Sequence, residues 1–251
     1  MSRPIITLLT DFGTADCYVA ELKGVLYSIA GDVEIVDASH DIPPQDVELG
    51  RLTLARYWRR YPIGTVHLVV VDPGVGSARA AIAVQAEGQY VVGPDNGVLS
   101  PALLSNGARA VWLGVPNSAS PTFHGRDVFG PVAARLAGGD PLDAVGTSFH
   151  DPVIRRTPDA TRLPDGRIQG QVIAVDHFGN AVTNLIGHVG ASVELDVHRL
   201  EIVRTYADVP SGALCALVGS SGLVEISQRN GSAAVALRLS RGSTVHLRQP
   251  R

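Results

Sequence analysis

Val66 to Arg79 reads VHLVVVDPGVGSAR. Its first six residues are an apolar run rich in β-branched side chains, and Asp72-Pro73-Gly74 ends it, the pattern of a buried strand stopped by a turn. In open α/β sheets ligands bind beyond the carboxyl ends of strands, so Asp72 stands where a ligand would be met. A solvated Asp that merely starts a turn is the alternative. Two further groups weigh against it: Arg79, on the far side of the Pro-Gly-Val-Gly turn, and His124, in the polar cluster Thr122 to Asp127 (TFHGRD). Carboxylate, guanidinium and imidazole together suggest one site.

Outward from that strand, the chain alternates strand and helix up to about residue 150. Ile5 to Thr10 and Val33 to Asp37 read as strands and Tyr18 to Ile29 as a helix. Val47 to Tyr61 reads as an amphipathic helix with Val47, Leu54 and Trp58 on one face and Arg51, Arg59 and Arg60 elsewhere. Ala80 to Gln85 and Tyr90 to Val92 form a hairpin through Glu87-Gly88. A short helix near Leu99, a strand near Val111 and a helix from Asp127 to Leu136 complete an α/β layered domain over residues 1–153. The polar, proline-bearing stretch 154–167 suits an inter-domain linker. Residues 168–251 carry short β-rich runs at Ile168 to Val175, Val182 to Ile186, Leu200 to Thr205, Leu214 to Val218, Leu223 to Ser227, Ala233 to Leu237 and Thr244 to Leu247. Such runs suggest a small β-barrel or sandwich.

With 251 residues, 45% hydrophobic and 18% charged, the chain is expected to be globular, and a formal net charge of -3 gives no reason to expect nucleic acid or an anionic membrane as partner. Cys17 and Cys215 are the only cysteines. They are too few for a disulfide scaffold and read as small buried hydrophobes in a reducing cytoplasm. Ile5 to Leu9 is a strand rather than a signal-peptide core, and no window approaches ~18 uninterrupted apolar residues, so no membrane span is expected.

Thr10-Asp11-Phe12-Gly13 follows the first strand, and an acidic residue there can accept hydrogen bonds from the two hydroxyls of a ribose. Asp11 could equally cap the next helix. The letters DFG coincide with a protein-kinase motif, but its companion loops are lacking. Gly74-Val75-Gly76-Ser77 lacks the lysine of a phosphate loop, and Gly219-Ser220-Ser221-Gly222 is one residue too short for a nucleophile elbow. His40 lies near Asp41 and His124 near Asp127, but the eight histidines show no metal-binding spacing, so a di-metal hydrolase is only a weak alternative and no metal is expected. Asp176-His177-Phe178-Gly179-Asn180 lies between two strands. It is either an ordinary Asx turn or an amide and an aromatic ring placed to read and stack on adenine.

TDFGTADCYVAELKGVL, VDPGVGSAR, GPDNG at Gly93 to Gly97, FHGRDVF, DHFGNAVTN and GSSGLVEIS followed by NGSAA closely resemble the S-adenosylmethionine hydroxide adenosyltransferases, relatives of the fluorinase and chlorinase. The resemblance runs from Ile5 to about Ala234. It implies an N-terminal α/β domain, a C-terminal β-barrel, and a homotrimer whose active sites lie between neighbouring subunits. It implies no cofactor, and a reaction in which water or hydroxide attacks C5′ of S-adenosylmethionine to release adenosine and L-methionine. The catalytic set it implies is Asp72, Arg79 and His124. Asp11 is implied for the ribose; Phe178, Asn180, Tyr206 and Ser232, Ala233 and Ala234 for adenine; Asp176, Ser220 and Ser221 for the methionine end. Phe12, Gln45, Val75, Thr122 and Phe123 complete the implied substrate-binding set.

The residues are compatible with that chemistry. A sulfonium departs as a neutral thioether, so the leaving group needs no acid, and what remains is to orient the water. Asp72 or His124 could take its proton, while Arg79 stabilises hydroxide character. A 5′-halogenase is the first alternative; the fluorinase has a tyrosine in place of Asp72, a serine in place of Gly125, and an insertion. A non-enzymatic sensor of adenosine or S-adenosylmethionine is the second.

Overall fold

The computed structural model describes residues 3–249. The chain divides into two compact units, one up to Arg156 and one from Thr157 on.

The first unit is built on a seven-stranded sheet. Its strands are β1 (Ile5–Thr10), β2 (Glu34–Ser39), β3 (Val66–Val70), β4 (Ala81–Ala86), β5 (Gln89–Pro94), β6 (Arg109–Trp112) and β7 (Thr147–Phe149), in the order β2-β1-β3-β5-β4-β6-β7. The run from β2 to β5 is parallel, and β4, β6 and β7 join antiparallel. Four helices cover it: α1 (Tyr18–Ala30), α2 (Val47–Tyr57), α3 (Ser100–Leu103) and α4 (Gly130–Ala137).

β3 explains why this region is apolar at every position. Leu68 and Val70 pack with α1 and α4 residues such as Leu22, Leu26 and Ala133, while Val69 and Val71 pack on the opposite face with Leu54 and Trp58 of the α2 side. A strand covered on both faces cannot alternate. Burial of each such aliphatic side chain contributes about 1.5–3 kcal/mol before entropy is counted. Because β1 lies between β2 and β3, the chain leaves β1 to one side through α1 and returns to the other through α2. The sheet therefore reverses its winding between the carboxyl ends of β1 and β3, where open sheets bind ligands. Thr10 pairs in register with Val70, so Asp11 and Asp72 leave the sheet from neighbouring strands.

The second unit is a closed barrel of β9 (Ile168–Val175), β10 (Ala181–Thr183), β11 (Ser192–Leu195), β12 (His198–Val203), β13 (Leu214–Val218), β14 (Val224–Gln228) and β15 (Thr244–Arg248). The order β10-β14-β13-β12-β11-β15-β9 is closed by pairing of β9 with β10, and closure leaves no free sheet edge between them. Val172, Val193, Val224, Ile226 and Val245 fill its interior.

Several local expectations differ from what forms. Ala233–Ala236 is a short helix, α5, rather than a strand: Val235 N–H donates to Ser232 Oγ at 3.2 Å, and a serine cap followed by alanines favours a helical turn. β11 escaped notice because its four residues include Glu194. Arg51 lies on the buried face of α2, not its solvent face, its guanidinium satisfied by Glu48 of the preceding turn at 2.9 Å from Nε. Cys17 is exposed, at the N-terminal boundary of α1, whereas Cys215 is buried. Within 154–167, Arg155 N–H donates to Ser100 Oγ at 2.8 Å, and Thr161–Arg162 (β8) pairs with β9. Among the described residues no helix is long and apolar enough to cross a membrane.

Candidate active site

Asp72 follows directly on the end of β3. The Asn96 side-chain amide donates to Val71 O at 2.8 Å and so fixes the backbone just before it. The chain then closes two tight turns, Val75 N–H to Asp72 O at 3.2 Å and Ser77 N–H to Gly74 O at 3.1 Å. They bring Arg79 back over Asp72. Nε donates to Oδ1 at 2.9 Å and to Oδ2 at 3.0 Å, and Nη2 also pairs with Oδ2. Both side chains are buried, at 9% and 5% exposure, and a buried pair is tolerable only when its hydrogen bonds are this complete.

The same Nη2 donates to Nδ1 of His124 at 2.8 Å. A guanidinium has only donors, so Nδ1 must be an acceptor and the neutral imidazole carries its proton on Nε2. Burial first, and then the Arg79 charge, lower the His124 pKa against the opposing pull of Asp72 and Asp127, which favours that neutral form. His124 is presented by the segment before a single π-helical turn, Gly125–Phe129, that leads into α4. The two loops meet at Gly76, whose φ is +74° and where a Cβ would lie 2.4 Å from Pro121 O. Only glycine permits that approach.

Asp11 does not cap α1, which begins at Tyr18 with Cys17 before it. Its Oδ2 accepts the N–H of Gln45 at 2.7 Å, and Gln45 is held at φ +67°. Burial raises the Asp11 pKa, the Gln45 bond opposes, and the Asp72 charge adds to the rise. Beside it Phe12 and Phe123 meet edge to face at 5.7 Å, and Tyr18 joins both rings. Val75 is half-buried in the turn after Asp72, whereas Thr122 is exposed, 3.2 Å from the Ser120 hydroxyl.

The residues of the second unit gather separately around the turn after β9. Asp176 Oδ1 accepts the N–H groups of Phe178 and Asn180 at 2.9 and 2.8 Å, and its Oδ2 accepts Asn180 Nδ2 at 2.9 Å. Asn180 thereby presents Oδ1 as a pure acceptor. Phe178 is 74% exposed, an open aromatic face. Gly179, at φ +80°, lies where a Cβ would collide with Ser232, and Ala234 N–H donates to Gly179 O at 2.9 Å. Ser232, Ala233 and Ala234 are thus packed against the Asp176–Asn180 turn. Burial, and after it the Glu225 charge, raises the Tyr206 pKa. Ser220 and Ser221 lie in an exposed turn between β13 and β14.

Sequence reading passed over Asn96, Tyr18 and Glu225. The last sits on β14 between two core residues, Val224 and Ile226, and is buried on the opposite side. Only the alternation of that strand could have indicated it. Among the described residues no three His, Cys, Asp or Glu side chains converge as a metal site would require.

Residues 6–146 match the family model described as the SAM hydroxide adenosyltransferase N-terminal domain, and residues 170–246 match its C-terminal domain. The chain belongs to the SAM hydroxide adenosyltransferase family. Within reach of this family is a protein of Thermus thermophilus named (R)-S-adenosyl-L-methionine hydrolase, 41% identical over 98% of this chain and 99% of its own. A fluorinase of Actinopolyspora mzabensis is 31% identical over 98% and 97%. The solved structure of an uncharacterized conserved protein from Thermotoga maritima has a TM-score of 0.90 at 31% identity, covering 97% of this chain and 100% of that one. Both halves of this SAM hydroxide adenosyltransferase, the α/β unit and the barrel, therefore fall within the family match.

Proposed function

We propose that this chain is an S-adenosyl-L-methionine hydrolase that releases adenosine and L-methionine. The observation that carries the proposal is Arg79 bound at once to the Asp72 carboxylate and to Nδ1 of His124. With Nδ1 occupied, His124 offers an Nε2 proton, so it orients a water oxygen as a donor. The remaining Asp72 lone pairs take the water proton. The oxygen then forms the bond to C5′ as the C5′–S bond breaks, its electron pair leaving on sulfur as a neutral thioether. The net yield is adenosine, methionine and one proton. Charge is dispersed as hydroxide character meets sulfonium, and a buried site favours that transition state over separated ions.

Asp11 accepts from the ribose diol, and Phe12, Gln45, Val75, Thr122 and Phe123 line the nucleoside and C5′ end. Asn180 Oδ1 accepts from the adenine amine, Phe178 and Tyr206 stack or border the base, and the backbone of Ser232, Ala233 and Ala234 reads its edge. Asp176, Ser220 and Ser221 meet the methionine end. No cofactor takes part. The assembly is a cytoplasmic homotrimer, each site completed by a neighbouring copy, as the family resemblance implies.

Incubation in oxygen-18 water tests the reaction. Adenosine and methionine are expected in equal amounts, with label in the 5′-hydroxyl, and the two sulfonium epimers are assayed separately because the Thermus relative's name specifies R. S-adenosylhomocysteine would mean methyl transfer, and tight binding without product would mean a sensor. A 5′-halogenated nucleoside with added chloride or fluoride would mean a halogenase, an outcome the Asp72 carboxylate disfavours by like-charge repulsion.

A further inference from the structure

A second buried imidazole lies behind the Asp11 loop, apart from Asp72, Arg79 and His124. The His40 side chain is 4% exposed, and its Nδ1 lies 2.7 Å from Oγ1 of Thr10, the last residue of β1. The Asp37 carboxylate beside Nε2 favours the imidazole proton on that nitrogen, which leaves Nδ1 to accept from the Thr10 hydroxyl, while Oγ1 in turn accepts the Phe12 N–H at 3.3 Å. Nε2 sits 3.1 Å from Asp37 Oδ1, off the line of a hydrogen bond, so its attraction is chiefly electrostatic. The other Asp37 oxygen receives Lys23 Nζ from α1 at 2.6 Å. A Thr-His-Asp series invites comparison with a nucleophilic triad, but Thr10 is completely buried and cannot meet a substrate.

What the series does hold is the loop. The His40 side chain grips Thr10 at one end of the Asp11 turn, and the His40 carbonyl accepts Gly13 N–H at 2.8 Å at the other. From His40 the chain runs five residues to Gln45, whose N–H donates to Asp11 Oδ2 at 2.7 Å. Both segments that aim the Asp11 carboxylate are therefore fastened at His40. One Asp11 oxygen is occupied, so the direction of the other is set by this clamp.

We propose that His40 is a positioning residue for nucleoside recognition, which aims Asp11 at the ribose diol through Thr10, Gly13 and Gln45. This rests on the reading of Asp11 as the ribose acceptor.

Calorimetric binding of adenosine and of 2′,3′-dideoxyadenosine, which lacks the diol, tests it together with steady-state kinetics. His40→Phe keeps the volume but loses the Thr10 partner. It is expected to weaken adenosine about tenfold, a change of ~1.4 kcal/mol, to raise KM similarly while kcat changes far less, and to leave dideoxyadenosine binding unaltered. His40→Asn, which can still meet Thr10, should recover most of the loss. In an Asp11→Asn background the His40 effect should vanish, because the residue acts through that carboxylate. Equal weakening of both nucleosides, or unchanged adenosine binding, overturns the role of His40. If Asp11→Asn itself leaves the preference for adenosine over dideoxyadenosine intact, the ribose reading fails instead. Should His40→Phe not fold, Thr10→Val removes the same hydrogen bond and is held to the same outcomes.

Discussion

Arg79 is the residue on which the site turns, because one guanidinium fixes both a carboxylate and a histidine tautomer. Asp72→Asn keeps the shape but removes the proposed proton acceptor, so kcat should fall by about 10²–10⁴ with adenosine affinity preserved; single-turnover assays alongside calorimetry separate the two. Arg79→Gln deletes the charge that, after burial, depresses the His124 pKa. A lowered value keeps the imidazole neutral to more acid pH than an ordinary histidine. In Arg79→Gln an NMR titration of His124 should move to higher pH. A titration that stayed in place would mean that Arg79 does not face Nδ1 in solution. Asp11→Ala should act on binding rather than chemistry, costing adenosine about 1.5–3 kcal/mol for a lost charged acceptor. Residue types were legible at this scale: Asp72 and Arg79 stood out because they flank the turn that stops a strand, and His124 because it lies in the polar cluster Thr122 to Asp127. The tautomer was not, since it depends on which nitrogen Arg79 reaches.

The turn after β3 and the segment before α4 form one working element only because Gly76 lets them touch. Gly76→Ala puts a methyl 2.4 Å from Pro121 O in a left-handed backbone conformation, so the two loops must separate. Arg79 would then lose its hold on His124, and a displacement of about 1 Å can cost on the order of 10²-fold in rate. The expected result is a large fall in kcat with secondary structure unchanged by circular dichroism; wild-type kcat would mean that the two loops hold Arg79 and His124 together without this contact. Elements with strong local signals formed as read: the buried run of β3, the hairpin β4–β5 through Glu87-Gly88, and α1. Where the signal was weak, tertiary context decided. Ala233–Ala236 follows its serine cap into a helix, and Arg51 is drawn inside because Glu48 lies within its reach.

At the scale of the whole molecule, the core beneath α2 holds a titratable group. His67 on β3 is fully buried, hydrogen-bonded through Nδ1 to Thr7 at 2.8 Å and through Nε2 to Gln89 at 2.7 Å, with Tyr57, Trp58 and Tyr61 around it. Burial lowers its pKa to about 4 from 6.5, which favours the neutral form in the folded state. Its contribution is fully present above pH 6.5 and is lost as pH falls toward 4, roughly 3 kcal/mol in all. Denaturant unfolding between those pH values should show His67→Gln losing that much less stability than the wild type; equal slopes would contradict it. The proposed trimer has its own test. Mixed and reassembled Asp72→Asn and Asn180→Ala chains, assayed at substrate far below KM where each alone is strongly impaired, should regain about a quarter of wild-type activity if each site joins two random copies, and no more than the separate variants if one chain supplies both parts. The sequence by itself determined the fold class, the family and the list of able side chains, because apolar runs, turn residues and motifs are local properties of the chain. Tertiary structure alone decided that β1 and β3 end side by side, which sets Asp11 near Asp72, and that Arg79 bridges to a histidine 45 positions away. It also decided that His40 lies behind the Asp11 loop, because such contacts arise from strand order and loop packing.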